Sequence, residues 1–492
     1  MKDPLEIQNG LPFAAAQPEA VGIPSVAVLR FLQALEQSKY RLHAFLLLRK
    51  NKLCFAAAAA PYTLSTPHRV FSAGKTILAL SACRAIQDGK LKPTDSVADY
   101  FRNVLDGDTR FDGMTVDDLL TMRSGQEEDP FLAILKDLDA DLTRLFFTAP
   151  PVEEPGKTFR YNNTIPSVIT AAVERAVGEP FEGYQQRHFA GPMQAPIYAP
   201  TDSRGGYNPV VMALSAVTLM KYTALFLNEG NWMGRQLLDP AILRECVREH
   251  TKTGMPGNAA GYGWQLWRNA FGGYRLDGGF GQYGIVLPKE ELAAVILSDM
   301  PNSAFALEAF EQHIVKALSA EPLPEDNNVY RQLLTYGHRL SLAPRGGKPA
   351  SPQEDRWFER RYLFANPQME LSFAREDDTI RLTLKDSKGS QTLSCGLNGR
   401  WIASPRHLLV QPERTVDNGV FCLDSEICHF TSVWRDDATL EIAAKSLAAQ
   451  GEYLYRFTFT LQGVSLCYPT RPLRGWPTLE NAVCLDGKGV NA

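Results

Sequence analysis

Three short stretches of this chain carry side chains suited to acyl transfer. The first is Val70-Phe71-Ser72-Ala73-Gly74-Lys75-Thr76. A helix beginning here sets a hydroxyl and an amine three residues apart on one face, one turn from each other. Serine alone is a poor nucleophile, but an amine whose pKa is lowered by burial can take its proton. A helix N-terminus also supplies backbone N–H groups and a positive dipole end, which stabilise the oxyanion formed when a carbonyl is attacked. This is the only S-x-x-K in the sequence. Taken alone, it fits a helix-start serine with a solvated lysine equally well. Gly74-Lys75-Thr76 also matches the end of a phosphate-binding loop, but that loop needs a glycine at 69, where the chain has Arg69.

The second stretch is Phe159-Arg160-Tyr161-Asn162-Asn163-Thr164, between Pro155-Gly156 and a helix expected from Pro166. A tyrosine beside a lysine can have its pKa lowered and act as a general base or acid. Asn163 offers a donor and an acceptor for orienting a lysine and a substrate amide. The competing reading is that Asn162 and Asn163 only cap the helix. The third stretch, Arg275-Leu276-Asp277-Gly278-Gly279-Phe280-Gly281-Gln282-Tyr283, is a glycine-interrupted strand that lets backbone or ligand approach closely. The N–H of Phe280 is a candidate second oxyanion donor beside that of Ser72. A plain glycine-rich hairpin would look the same.

The 492 residues carry 51 basic and 55 acidic side chains, and no run of like charge stands out. Nothing in that balance points to nucleic acid or an anionic membrane as partner. No run reaches the roughly 18 apolar residues of a membrane helix. The N-terminal stretch lacks a signal-peptide core, so a cytoplasmic location is expected, although a removed leader would leave the same appearance. Eight cysteines, with no C-x-x-C, suggest reduced and mostly buried thiols; those after 390 could pair in an exported protein. No histidine or cysteine cluster has metal-ligand spacing, so neither metal nor cofactor is expected.

The elements that must position these residues divide the chain in two. Residues 18–42 read as a helix, 43–62 as a hairpin turning at Lys50-Asn51-Lys52, and 73–90 as a helix ending at Gly89. Short helices follow over 117–122, 166–177 and 214–227. Strand-like runs come next at 261–267, 272–278, 282–288 and 292–299, then a helix over 305–318. This order is an α+β domain, 1–320, in which early and late strands pair into one antiparallel sheet covered by helices. A Pro- and Gly-rich linker with one short helix occupies 321–355. Alternating runs such as MELSFA, TIRLTL, LLVQP and YLYRFTFTL then make 356–492 an all-β domain, a barrel or a sandwich.

All three stretches occur once, in an order that one family requires. The chain resembles the serine β-lactamase and penicillin-binding-protein family, in its class C-like branch of esterases, D-amino-acid peptidases and 6-aminohexanoate-dimer hydrolases, for which S-x-x-K is a signature. HAFLLLRKNKL, IQDGKLKPTDSVADYF, MTVDDLLTMRSGQ, EEPGKTFRYNNT, YGWQLW and DGGFGQYGIVLP agree with it, over roughly residues 17–317. The resemblance implies a two-step hydrolysis of an ester, amide or peptide with Ser72 as nucleophile and Lys75 as proton partner. It makes Tyr161 the general base and Asn163 the orienting amide. Ser72 and Phe280 then supply the oxyanion N–H groups, and Asp277-Gly278-Gly279 match the substrate-binding motif that is K-T-G or H-x-G in relatives.

Asp277 departs from that motif, because a carboxylate replaces a cation. It would repel the acid group of a β-lactam, and it could pair with Lys75 or receive a cationic substrate group. Ester or amide hydrolysis therefore fits better than β-lactam turnover. A catalytically silent peptide- or cell-wall-binding protein and a true DD-peptidase or β-lactamase stay open as alternatives. The literal Lys252-Thr253-Gly254 lies in a loop-like segment and is read as coincidental. His68 reads as a loop residue, and Trp232, Trp264 and Trp267 as core or cleft wall. The β domain resembles accessory barrels of some relatives, either structural or walling the cleft.

Overall fold

Lys50 and Asn51 both take left-handed backbone angles, φ 50° and 55°, which suits a two-residue hairpin turn. They join strands Leu42–Arg49 and Lys52–Ala58, the early half of the central sheet. The computed structural model describes residues 10–131, 141–198, 212–300, 302–344, 346–387, 389–405, 427–447, 452–469 and 482–491. The late strands join the early ones through Leu292–Ser298, which pairs antiparallel with Leu42–Arg49. The nine strands run in the order Ala14–Ala15, Lys52–Ala58, Leu42–Arg49, Leu292–Ser298, Gln282–Leu287, Tyr274–Gly278, Trp267–Arg268, Gly261–Tyr262 and Thr251–Lys252. All pairings are antiparallel except that of the short first strand.

Strand periodicity explains why both faces are covered. Leu46, Leu48, Val295 and Leu297 point to one side, where helix Ala73–Gln87 packs, and belong to the larger core. Phe45, Leu47, Ala294 and Ile296 point to the other, into a second core with helices Ser25–Gln37 and Ala304–His313. Helix Asn327–His338, within the segment read as linker, adds Leu333 to that second core. The helical region includes Val97–Leu105, Val116–Leu120, Leu142–Phe146 and Ile165–Val177, packed around Phe101, Phe111, Phe146 and Phe147. The α+β architecture is the expected one.

Two local expectations need correction. GYGWQLW is not one strand but a hairpin, with Tyr262 paired to Trp267. Gln265 turns it at φ 59°, and its side-chain amide donates to the carbonyls of Leu119 and Leu120. His68 is not in a loop. It lies in the short strand His68–Arg69, fully buried, with its Nε2 2.6 Å from His43 Nδ1.

The second domain is a barrel rather than a sandwich. Strands Gly389–Gly396, Thr379–Asp386, Gln368–Glu376, Arg360–Ala365, Ala482–Asn491, Gly463–Pro469, Tyr453–Phe459, Thr439–Lys445 and Ile427–Trp434 follow one another antiparallel. A parallel bridge from Gly396 to Thr431 closes the ring. Leu371, Phe373, Leu382, Trp434, Ile442 and Phe457 fill it. LLVQP at 408–412 lies outside the described residues, as does Cys422. Cys467 and Cys484 stand opposite each other on neighbouring strands and form a disulfide, so the expectation of reduced thiols fails for this pair. Cys54, Cys83, Cys246, Cys395 and Cys428 are buried. Among the described residues no helix is long and apolar enough to cross a membrane.

Candidate active site

The run AGKTILALSACRAIQ is dominated by good helix formers and forms the helix Ala73–Gln87, buried along nearly its whole length. Its few polar side chains are accounted for. Thr76 donates to the Gln265 carbonyl at 2.5 Å, and Ser81 bonds Gln185. Phe71 enters the helix with φ 48°, a left-handed angle that turns the chain sharply just before Ser72.

Lys75, one turn on, is 2% exposed. Its Nζ lies 2.8 Å from Ser72 Oγ and 3.0 Å from Asn163 Oδ1, and 5.1 Å from the centre of the Tyr161 ring. Burial lowers the Lys75 pKa to about 7, against the opposing pull of Asp129. At neutral pH a large fraction of the amine therefore has a free lone pair. Ser72, Lys75, Tyr161 and Asn163, 91 residues apart at the extremes, share one site.

The expected charge state of Tyr161 is reversed. Its phenol is pushed above the ordinary tyrosine range, chiefly by burial, with Asp277 and Asp129 adding to the rise and a hydrogen bond with Ser72 opposing it. Raised in this way, the phenol is a neutral donor and acceptor beside Ser72. Its ring stacks on Trp267 at 5.7 Å, making that tryptophan a wall of the site. Trp264 is core instead, its indole donating to Asp117, and Trp232 packs against Phe13.

Asn162 and Asn163 do different work. Asn162 is buried and accepts from Thr164 N–H at 2.9 Å and from the Thr164 hydroxyl at 2.6 Å, forming the turn before helix Ile165–Val177. That turn leaves Asn163 to face Lys75. Asn163 donates its Nδ2 and its backbone N–H to Asp129 Oδ2, at 2.8 and 2.9 Å. Asp129 thereby fixes which end of the amide meets the lysine. Sequence reasoning missed this residue, which sits last in the acidic run Glu127-Glu128-Asp129 with no spacing signal to single it out.

Gly278 and Gly279 lie against Val70 and Phe71, next to Ser72. A Cβ on Gly278 would lie 2.0 Å from the Val70 carbonyl oxygen, so only glycine lets this strand end approach the segment leading to Ser72. The Phe280 ring packs on Phe71 at 5.2 Å, and Phe280 itself holds φ 64°. Asp277 does not pair with Lys75. Arg275, two residues away on the same strand face, donates to its Oδ2 at 2.7 Å. Burial raises the Asp277 pKa above its ordinary value, and Arg275 opposes that rise without cancelling it. Arg275 is itself tied to Asn269 Oδ1 and the Asn258 carbonyl, so it braces the carboxylate rather than opening a cation to the cleft. Lys252-Thr253-Gly254 starts on the outermost strand, three strands from Tyr274–Gly278, with Lys252 paired to Glu249.

The beta-lactamase family model matches residues 30–317, and the chain belongs to that family. Its superfamily consists mostly of serine hydrolases. Among solved structures, the chain is similar to EstA from Arthrobacter nitroguajacolicus Rue61a, at 16% identity and TM-score 0.49, over 62% of this chain and 98% of that one. It is similar also to the octameric penicillin-binding protein homologue from Pyrococcus abyssi, at 14% identity and TM-score 0.48, over 94% and 99% of the two chains. A penicillin-binding protein homolog from Caulobacter crescentus aligns at 17% identity and TM-score 0.47, over 61% and 98%. No curated protein matches the chain.

Proposed function

We propose that this chain hydrolyses an ester or amide (peptide-like) bond through an acyl-enzyme on Ser72. The observation that carries the reading is the buried Lys75 amine, held between the Ser72 hydroxyl and the Asn163 carbonyl with its pKa brought to about 7. Ser72 Oγ attacks the substrate carbonyl carbon and its proton passes to Lys75 Nζ. The N–H groups of Ser72 and Phe280 receive the oxyanion. As the carbon–oxygen or carbon–nitrogen bond breaks, the leaving group takes a proton from the Lys75 ammonium, directly or through the neutral Tyr161 hydroxyl. Water then attacks the acyl carbon, gives its proton to Lys75, and Ser72 recovers its own.

Asp277 shapes the choice of substrate. A braced carboxylate where relatives bind an anion favours substrates that are neutral or cationic at that end. A panel of short-chain nitrophenyl esters, D-amino-acid nitroanilides and a chromogenic cephalosporin tests the reading. Turnover of an ester or amide that disappears in Ser72→Ala supports it. Turnover that survives in Ser72→Ala would overturn it, and efficient cephalosporin hydrolysis would overturn the role given to Asp277.

A further inference from the structure

Two buried ion pairs connect the barrel to the hydrolase domain, and both converge on Asp299. Lys445 ends strand Thr439–Lys445 and sets its ammonium 3.3 Å from Asp299 Oδ2, the two side chains being 2% and 5% exposed. Glu452, just before the next barrel strand, pairs with buried Arg41. The Arg41 carbonyl in turn accepts the Asp299 N–H at 3.2 Å. On either side of Asp299 sit the two groups that hold the Phe280 carbonyl. The Ser298 hydroxyl donates to it at 2.6 Å and the Met300 N–H at 3.1 Å.

That hold bears on chemistry because Phe280 is a non-glycine residue at φ 64°, followed by Gly281 at φ 86°. Such a conformation is unfavourable for a residue with a side chain and persists only where its surroundings enforce it. It also sets the direction of the Phe280 N–H. We propose that the barrel positions the hydrolytic site: Lys445 and Glu452, acting through Asp299 and Arg41, keep the Phe280 backbone in the geometry that meets the oxyanion. The proposal rests on the acyl-enzyme reading above. These four are positioning residues, since none touches the reacting atoms.

Burial, with the cations Lys445 and Arg41, holds His43 well below its ordinary range, and burial lowers His68 to about 4. A buried ion pair adds little net stability, whereas a misplacement of about 1 Å at a reacting centre costs on the order of a hundredfold in rate. The effect belongs in rate.

The test uses the full chain and the saturation kinetics of inactivation by a fluorophosphonate. Lys445→Met is expected to lower the maximal inactivation rate about ten- to hundredfold with half-saturation within about threefold of wild type. Lys445→Arg is expected to retain most of the rate. Lys445→Met alone removes the ammonium facing the buried Asp299 carboxylate and so also lowers melting temperature. Lys445→Met with Asp299→Asn removes both charges, and is expected to regain stability while staying slow. If the double variant recovers its rate together with its stability, or if both variants label within about twofold of wild type, the positioning role is overturned while the hydrolase reading stands. A wild-type chain that does not label at Ser72 removes the hydrolase reading and this inference with it.

Discussion

Replacing Asp129 by asparagine removes one charge and keeps an acceptor oxygen for the Asn163 amide, so it isolates the electrostatic part of that residue's role. Asp129 Oδ2 lies 2.8 Å from Asn163 Nδ2, and Asn163 Oδ1 lies 3.0 Å from Lys75 Nζ. Across the amide, whose hydrogen bonds leave it at an angle, the carboxylate lies about 7 Å from the ammonium. The attraction over that distance is about 0.6 kcal/mol in a water-like dielectric and about 2.4 kcal/mol at an effective dielectric of about 20. These correspond to roughly 0.4 and 1.7 pH units. Asp129 stabilises the protonated amine, so its neutralisation lowers the Lys75 pKa further. Acylation needs the unprotonated amine, and in the wild type its rate should rise through about pH 7. In Asp129→Asn the midpoint of that rise should move down by about one pH unit. Measuring fluorophosphonate labelling rates from pH 5 to 9 reads both midpoints. A midpoint that stays put or moves up would refute the assignment of the acid limb to Lys75.

Other consequences follow from the same geometry. Lys75→Met should abolish acylation and leave the fold at least as stable as wild type at pH 6, because a buried cation has been removed. That advantage in melting temperature should shrink by pH 9. Between about 7 and 10.5 the unfolded chain binds a proton at Lys75 that the folded chain does not, so the wild type gains stability as pH rises. Gly278→Ala should destabilise by about 2 kcal/mol in denaturant titration and slow labelling by at least about tenfold, since the added methyl meets the Val70 carbonyl. Asp277→Asn should lower KM for esters bearing a carboxylate more than for neutral esters, and an equal change for both would count against its charge acting on substrate.

Much of this site is legible from local spacing, because its central residues follow helix and turn geometry. Ser72 and Lys75 meet because residues three apart share a helix face, and Gly278 announces a close approach by its lack of a side chain. Arg275 and Asp277 were also within reach of strand periodicity, which places i and i+2 on one face. Asp129 had no such signal: it acts across 34 residues, through the amide of Asn163. The direction of the Tyr161 shift depends on how dry the pocket is, which no motif encodes. Strand alternation made the second domain visible as β structure. Its closure into a barrel, the Cys467–Cys484 pairing and the reach of Lys445 into the first domain depend on register and docking.

The proposed hydrolysis depends on Ser72 becoming covalently acylated with Lys75 as the group that activates it. Intact-mass analysis of the chain quenched in acid during turnover of an activated ester, followed by peptide mapping, tests this most directly. The expected result is one added acyl group on the peptide containing Ser72, absent from Ser72→Ala and from Lys75→Met at pH 8. An adduct on another residue, or an equal yield on Ser72 in Lys75→Met, would contradict it.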